Sequence, residues 1–188
     1  MQIRVLGSVD VELGGALVKL AGPKQRAVLS MLALNANEVV SVERLVDGLW
    51  GEEPPSSAPK MVQQYVSQLR RLLAADGPRI LTRDGGYELH VDPASVDALR
   101  FERLVEQAAR EPAGRRATLA QEALAGWHDP PLAGMREEPF AAAEGRRLEE
   151  LHLAALELAI EGELDAGHHA EAIGRLAALV DAHPLRER

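Results

Sequence analysis

Residues 60–73, KMVQQYVSQLRRLL, combine side chains that can form hydrogen bonds with nucleic acid and include no acidic residue. Glutamine can bind adenine through two hydrogen bonds, arginine and lysine can bind guanine or phosphate oxygens, and serine can bind either. At about 100° per residue, a helix places the apolar residues on one side and the polar residues on the other. The polar side holds Lys60, Gln63, Gln64, Ser67 and Arg71, with Gln68 and Arg70 on its flanks and Tyr65 at its border. Such a face is either a solvated helix surface or a surface that contacts DNA.

The charge of the 188-residue chain is unevenly distributed. Its net charge of −8 argues against a nucleic-acid partner. However, residues 1–92 hold 10 basic and 11 acidic side chains, whereas residues 93–188 hold 11 basic and 18 acidic ones. Within the first part, residues 57–83 contain five basic residues and one acidic residue, a local net charge of +4. The acidity therefore belongs to the second half, and the segment described above lies in a basic region.

The elements that precede this segment are a small sheet and two helices. Residues 3–20 alternate between apolar and polar side chains around a Gly14–Gly15 turn, as antiparallel strands do. Apolar residues then recur at helical spacing over residues 24–34 and again over residues 42–50. Ser41 is the candidate N-cap of the second helix. The basic segment is therefore the third helix of a set.

A loop and a hairpin flank this third helix. Residues 51–59 contain three prolines and cannot continue the second helix. The third helix is expected to end before Gly77–Pro78. Residues 79–89, RILTRDGGYEL, then predict a hairpin whose tip is residues 83–86. Three helices followed by a hairpin with an arginine at its tip predict a winged helix-turn-helix.

The second half of the chain lacks strand patterns and predicts helices throughout. A connector over residues 90–97 offers Ser95 as the N-cap of the next helix. Further helices are expected over residues 117–127, over residues 140–164 and from residue 168 onward. The last of these is similar to the second helix of a tetratricopeptide repeat, so this half is either a tetratricopeptide-like stack or a plain helical bundle.

The predicted fold class is therefore an α+β N-terminal winged helix-turn-helix followed by an all-α tetratricopeptide-like helical domain. The winged helix comprises an N-terminal β-sheet, three helices and a C-terminal β-hairpin wing. We assign residues 1–92 to the first domain and residues 93–188 to the second.

Enzymatic and metal-binding functions are disfavoured by what the chain lacks. It has no cysteine, and the adjacent His168 and His169 would point about 100° apart in a helix with no third ligand at a useful spacing. Its paired acids are expected on solvated helix faces; they are Glu137–Glu138, Glu149–Glu150 and Glu161 with Glu163. No stretch reaches the roughly 20 apolar residues of a membrane span, and the N-terminus lacks a secretion signal. We therefore expect a cytoplasmic, nucleoid-associated protein that is not an enzyme, needs no cofactor or metal and does not bind a membrane.

Both halves resemble one known family. The first half is similar to the OmpR-type winged-helix domain of the Streptomyces antibiotic regulatory proteins over AGPKQRAVLSMLALNANEVVSVERLVDGLWGEEPPSSAPKMVQQYVSQLRRLL and ILTRDGGYEL. The second half is similar to the bacterial transcriptional activator domain that follows it in that family, over EEPFAAAEGRRLEELHLAALE and GHHAEAIGRLAALVDAHPLRER. The resemblance covers nearly the whole chain.

This resemblance implies a role for particular positions. The third helix of the family lies in the major groove, which makes the contact candidates Lys60, Gln63, Gln64, Tyr65, Ser67, Gln68, Arg70 and Arg71. Arg83 corresponds to the wing arginine expected at the minor groove or its phosphates. The loop that faces RNA polymerase in OmpR-type activators corresponds to Gly51, Glu52, Glu53, Pro54 and Pro55. Many relatives carry SRLRR where this chain has SQLRR, so Gln68 is expected to bind a base or phosphate more weakly.

The implied function is that of a sequence-specific transcriptional activator, a pathway-specific regulator of antibiotic biosynthesis. It would bind double-stranded promoter DNA at direct repeats, form a homodimer at least on DNA, and contact RNA polymerase holoenzyme. The alternatives are a helical-repeat protein-interaction module with a structural winged helix, and a DNA-binding repressor. The family's activator domain usually continues through further helices, so we expect the domain to be incomplete here and the helix after Gly167 to self-associate or to be poorly ordered.

Overall fold

A computed structural model describes residues 1–18, 20–74, 79–135 and 137–182. The chain forms two compact units, each built from two segments. Unit 1 comprises Met1–Arg100 and Trp127–Glu149, and unit 2 comprises Phe101–Gly126 and the chain from Glu150 onward. Residues 127–149 thus belong with the N-terminal unit. The division of the chain into domains at residue 92 stays a prediction.

The N-terminal sheet of unit 1 contains three antiparallel strands in the order β1-β2-β3. These are β1 Gln2–Arg4, β2 Asp10–Leu13 and β3 Ala16–Val18. Gly14 and Gly15 have φ angles of 55° and 84°, the left-handed conformation that a tight β2–β3 turn requires. The predicted strands and turn are confirmed, and Lys19 lies outside the described residues.

The three predicted helices of unit 1 are α1 Pro23–Leu34, α2 Val42–Trp50 and α3 Ala58–Leu73. Pro23 occupies the first turn of α1, where its missing N–H costs nothing. Ser41 caps α2 as predicted, since its hydroxyl accepts the Arg44 N–H at 3.0 Å. The helices α2 and α3 each bury one apolar side, whereas α1 is buried at eight of its twelve residues. The predicted end of α3 at Gly77–Pro78 lies outside the described residues.

The wing is a three-stranded sheet in the order β4-β6-β5. Its strands are β4 Val39–Ser41, β5 Arg79–Arg83 and β6 Gly86–His90. The hairpin is confirmed, but its tip is shorter than the predicted residues 83–86, because Arg83 and Gly86 pair as strand residues. Gly85 has a φ of 73°, and a Cβ on Gly86 would collide with the Val40 carbonyl of β4. Sequence reasoning missed β4.

The connector between the halves is tied to the N-terminal sheet by Asp97. Its buried carboxylate accepts the backbone N–H groups of Val5 at 2.8 Å and Leu6 at 3.1 Å. Burial raises the pKa of Asp97, while these hydrogen bonds oppose the rise. Ser95 does not begin the next helix as predicted; it ends a short 3-10 helix, Pro93–Ser95.

The segment at residues 127–135, which contains two adjacent prolines, packs into the core of unit 1. Leu132 and Met135 are each 1% exposed, and the Leu132 N–H donates to the Val5 carbonyl at 2.8 Å. Leu132 has a φ of 55°, a strained value for a leucine that burial of its side chain offsets. This segment therefore contributes to the core of the N-terminal unit.

Unit 2 is helical in its described residues. The helices that contribute to it are α4 Asp97–Arg110, α5 Ala113–Ala125, α6 Pro139–Asp165 and α7 His169–Ala182. Ala108, Ala120 and Ala159 form a buried cluster, and a Cβ on Gly162 would lie 2.7 Å from the Cβ of Ala117. Small residues therefore allow the helices to approach closely. The predicted winged helix followed by a helical domain is confirmed.

Candidate nucleic-acid interface

The polar face of α3, defined as Lys60, Gln63, Gln64, Ser67 and Arg71, is exposed to solvent along its whole length. The opposite side is buried, with Val62, Val66, Leu69 and Leu73 each at most 2% exposed. Within the described part of the chain, the side chains of Lys60, Gln63 and Gln64 make no hydrogen bond or ion pair. Burial of the apolar side thus fixes the helix and leaves these polar groups available to a ligand.

Arg70 forms one margin of this face and joins α3 to the wing. Its Nε donates to the Ile80 carbonyl at 2.8 Å, and its Nη2 donates to Thr82 Oγ1 at 2.7 Å. The guanidinium also lies 5.8 Å from the centre of the Tyr87 ring. The contacts of Arg70 therefore position the wing beside the helix, and its role as a DNA contact stays a prediction.

Gln68 and Tyr65, the other predicted contacts, are half-buried. Gln68 lies at the margin toward α1, where its Oε1 accepts a hydrogen bond from Gln25 Nε2 at 3.2 Å. Gln25 is 2% exposed and was not a candidate from the sequence. Both margins of the polar face are therefore tied to neighbouring elements.

Arg83 lies on the wing at the end of β5, and its side chain is 46% exposed. Its Nε donates to Glu88 Oε2 at 2.7 Å, and the other Glu88 oxygen lies 3.5 Å from His90 Nδ1. The hydrogen bond from Arg83 holds the pKa of Glu88 below its ordinary value, although desolvation opposes this. Glu88 therefore orients Arg83 through Nε and leaves the Nη groups as donors for a phosphate.

The candidate polymerase loop begins where α2 ends. Glu52, Glu53, Pro54 and Pro55 are exposed, whereas Gly51 is half-buried. Gly51 has a φ of 61° and donates its N–H to the Asp47 carbonyl at 2.8 Å. A Cβ at this position would lie 3.4 Å from Cγ of Pro139. Glycine thus ends the helix and directs an acidic, proline-rich loop into solvent.

Lys24 fixes the end of α2 from which this loop leaves. Its Nζ donates to the Leu49 carbonyl and to Glu138 Oε2, the latter at 2.8 Å, and lies 5.2 Å from the centre of the Trp50 ring. Glu138 is 6% exposed, so the prediction of a solvated acid was wrong here. The partners are 114 residues apart, and no local pattern marks them.

The prediction of solvated acids was also wrong for Glu163 in unit 2. Its side chain is 5% exposed and lies 3.1 Å from Arg175 Nη1. Gln121 Nε2 donates to the same carboxylate oxygen at 2.9 Å. Among the described residues, no group of three or more histidines and acids is placed to hold a metal ion, and no helix is long and apolar enough to cross a membrane.

Comparison with known proteins identifies two family domains in the chain. Residues 17–89 match the transcriptional regulatory protein C-terminal domain, and residues 96–188 match the bacterial transcriptional activator domain. Regulatory protein DnrI of Streptomyces peucetius is 37% identical over 200 residues, which cover 100% of this chain and 74% of DnrI. The chain belongs to the Streptomyces antibiotic regulatory protein family.

Other members of this regulator family share the two-domain segment within longer chains. Regulatory protein AfsR of Streptomyces griseus is 35% identical over the whole of this chain, which spans 19% of AfsR. The solved structure of Mycobacterium tuberculosis EmbR in complex with a low affinity phosphopeptide matches with a TM-score of 0.89 and 32% identity. It covers 98% of this chain and 51% of the EmbR chain. The arrangement of helices and wing described above is therefore an arrangement found in this family.

Proposed function

We propose that this chain binds double-stranded promoter DNA and activates transcription as a pathway-specific regulator of antibiotic biosynthesis. The observation that carries the proposal is the exposed, acid-free polar face of α3 in a chain of net charge −8. Arg83 on the adjacent wing adds a second basic contact, since its Nη groups remain available. On this proposal the protein acts at the nucleoid in the cytoplasm.

The side chains of the interface divide into two chemical groups. Lys60, Arg71 and Arg83 carry charges that bind phosphate oxygens and set the register of the protein on the duplex. Gln63, Gln64 and Ser67 carry no charge, so attraction to phosphate contributes little to their binding. They contribute mainly by forming hydrogen bonds with base edges in the major groove. The first group supplies affinity and the second supplies sequence preference.

The acidic second half restricts where DNA can lie. Residues 93–188 carry 11 basic and 18 acidic side chains, so they repel the phosphate backbone. Repulsion by these residues keeps non-specific binding low and directs DNA to the basic region of residues 57–83. Two copies would occupy direct repeats, as the family resemblance implies.

A mobility-shift assay with promoter fragments and competitor DNA tests the binding proposal. We expect the chain to shift specific fragments in the presence of excess competitor, and Arg83→Ala to weaken binding and lower the salt slope by about one. Arg110→Ala is the matched control, because Arg110 is an exposed arginine of α4. An affinity that does not depend on sequence, or an equal loss in both variants, would contradict the proposal.

The exposed loop at Glu52–Pro55 is proposed to contact RNA polymerase holoenzyme. Its two carboxylates suit a basic partner surface, and Lys24 holds the α2 end from which it leaves. In an in vitro transcription assay, we expect Glu52→Lys with Glu53→Lys to abolish activation without weakening DNA binding. Glu43→Lys, which replaces an exposed acid of α2, is the control. Repression by the wild-type chain in this assay would identify the repressor alternative instead.

A protein-interaction module is a second candidate because α7 exposes an apolar stripe. Ile173, Leu176 and Val180 are 64%, 46% and 54% exposed and recur at helical spacing. The predicted self-association through this helix stays a prediction, which sedimentation over a wide concentration range checks. A protein-interaction module would be favoured by two results together. The chain would bind no promoter fragment, and Ile173→Ser would abolish its self-association.

A further inference from the structure

A buried hydrogen-bond chain runs from the start of α1 to the margin of the polar face. The Ala21 backbone N–H donates to Gln25 Oε1 at 2.6 Å, and Gln25 Nε2 donates to Gln68 Oε1 at 3.2 Å. Gln25 is 2% exposed, so water does not compete for its amide. These two hydrogen bonds therefore connect a fixed backbone group to a side chain of the candidate interface.

The Ala21 backbone N–H sets the direction of both hydrogen bonds. A backbone N–H can only donate, so the Gln25 atom that it meets must be the amide oxygen. The Gln25 NH₂ group then faces Gln68, and because NH₂ can only donate, the Gln68 atom that receives it must be the oxygen. Within the described residues, the Gln68 NH₂ group has no protein acceptor.

We propose that Gln25 is a positioning residue that turns the Gln68 amide so that only its NH₂ group is available to DNA, where it binds a backbone phosphate. The proposal rests on the DNA-binding function proposed above. A glutamine held this way cannot form the paired contact to adenine, because that contact needs its oxygen and its NH₂ group directed at the base together, whereas the Gln68 oxygen is directed at Gln25. A phosphate oxygen accepts hydrogen bonds and never donates them, so it suits a donor of fixed orientation.

The position of Gln68 on the helix favours phosphate over a base. At about 100° per residue from Val62, Gln68 lies at about 240° and Arg70 at about 80°, whereas Ser67 and Arg71 lie between them. A helix in the major groove brings the margins of its polar face nearest the phosphates of the groove walls, which the long side chains of Lys60 and Arg71 can also reach from its centre. Gln68 is the margin on the α1 side, as its bond to Gln25 shows.

Reversal of the amide by Gln25→Glu tests the proposal. An ionised glutamate accepts from the Ala21 N–H with one oxygen and from the Gln68 NH₂ group with the other, so the Gln68 amide must rotate and expose its oxygen. Because burial raises the pKa of a carboxyl, affinities are measured at about pH 8, where the glutamate is ionised. The variant is expected to fold, because an acidic side chain in the first turn of α1, where the chain has none, interacts favourably with the helix dipole. Urea unfolding of the variant verifies this.

The affinity for promoter DNA is measured for the wild type, Gln25→Glu, Gln68→Met and the double variant. Each single variant is expected to lose about tenfold, the effect of one hydrogen bond to a charged group. The double variant should bind within about twofold of Gln68→Met, because both changes remove the same contact. Losses that multiply would overturn the proposal, since Gln25 would then act through its charge or through general structure.

Duplexes with single methylphosphonate substitutions identify the acceptor. One substituted position should weaken the wild type and leave Gln68→Met unaffected. If Gln68→Met instead changed the base preference at one position, the phosphate assignment would be overturned. The variant Gln25→Met is a second test that adds no charge. Without Gln25, the Gln68 amide occupies both orientations, so the loss of affinity for DNA should be only about twofold.

Failure of the proposed function and failure of this inference are distinguishable in the same assay. A wild-type chain that binds no promoter sequence specifically removes both. A wild-type chain that binds specifically, with Gln25→Glu equal to it, removes the role of Gln25 alone.

Discussion

The substitution Arg70→Met separates a residue that holds the wing from residues that touch DNA. Arg70 donates to the Ile80 carbonyl and to Thr82 Oγ1, and its guanidinium lies over the Tyr87 ring. Each hydrogen bond of a partly exposed side chain contributes about 1 kcal/mol, and an exposed cation–π contact contributes roughly 0.5–1 kcal/mol. Methionine retains an unbranched apolar stem and loses all three contacts. We therefore expect the free energy of unfolding to fall by about 2.5–3 kcal/mol.

Urea unfolding followed by tryptophan fluorescence measures this loss in the right part of the molecule. The chain has two tryptophans, Trp50 and Trp127, and both lie in unit 1 with Arg70. Arg70→Lys keeps the charge but not the planar arrangement of donors, so we expect a loss of about 1 kcal/mol or more. Arg44→Met, which replaces an exposed arginine of α2 in the same unit, is the matched control.

Arg71→Ala is expected to behave in the opposite way. Arg71 is exposed, and its Nε lies 3.4 Å from the Ser67 carbonyl, so its loss should change stability by at most about 0.5 kcal/mol. The slope of log affinity against log salt should become shallower by about one. If Arg70→Met left stability unchanged and lowered the salt slope by one, Arg70 would be a phosphate contact and the assignment of its role would be refuted.

Three further predictions concern the base contact, the connector and the support of the loop. Gln64→Ala should change the base preference at one position by roughly 1–3 kcal/mol in a selection from randomised duplexes; a uniform loss would indicate a phosphate contact. Asp97→Asn should cost about 1–3 kcal/mol in urea unfolding, because its NH₂ group must face a backbone N–H. Burial raises the pKa of Asp97, so folded protein retains a proton that unfolded protein releases near its ordinary value of 3.8. The free energy of unfolding of the wild type, relative to that of Asp97→Asn, should therefore fall as pH rises above 3.8. A difference between the two proteins that is constant with pH would contradict this. Lys24→Met leaves the Glu138 carboxylate buried without its cation and should cost about 3 kcal/mol, whereas adding Glu138→Met should recover part of the loss; additive losses would show that the pair is not coupled.

Local periodicity was sufficient to predict the helices and the polar face of α3. Val62, Val66 and Leu69 recur at helical spacing, and their burial fixes which side of α3 faces solvent. The Gly14–Gly15 turn and the Ser41 cap were predictable for the same reason, because each depends on adjacent residues. These features require no knowledge of distant parts of the chain.

Contacts between distant residues could not be predicted this way. β4 is three residues long and is specified by its pairing with β6, so its own sequence gives a weak signal. Gln25 and Gln68 are 43 residues apart, and the burial of Glu138 depends on Lys24 at a separation of 114. In each case the packing of helices decides the contact. The sequence therefore indicated which residues of α3 face solvent better than it indicated which residues hold them in place.

The central claim is that the polar face of α3 binds a specific DNA sequence. Hydroxyl-radical footprinting on promoter DNA tests it most directly, with the wild-type chain compared with a Gln63→Ala, Gln64→Ala and Arg71→Ala triple variant. We predict that the wild type protects two directly repeated sites and that the folded triple variant protects neither. Equal protection by the two proteins, or no sequence-specific protection by the wild type, would contradict the claim.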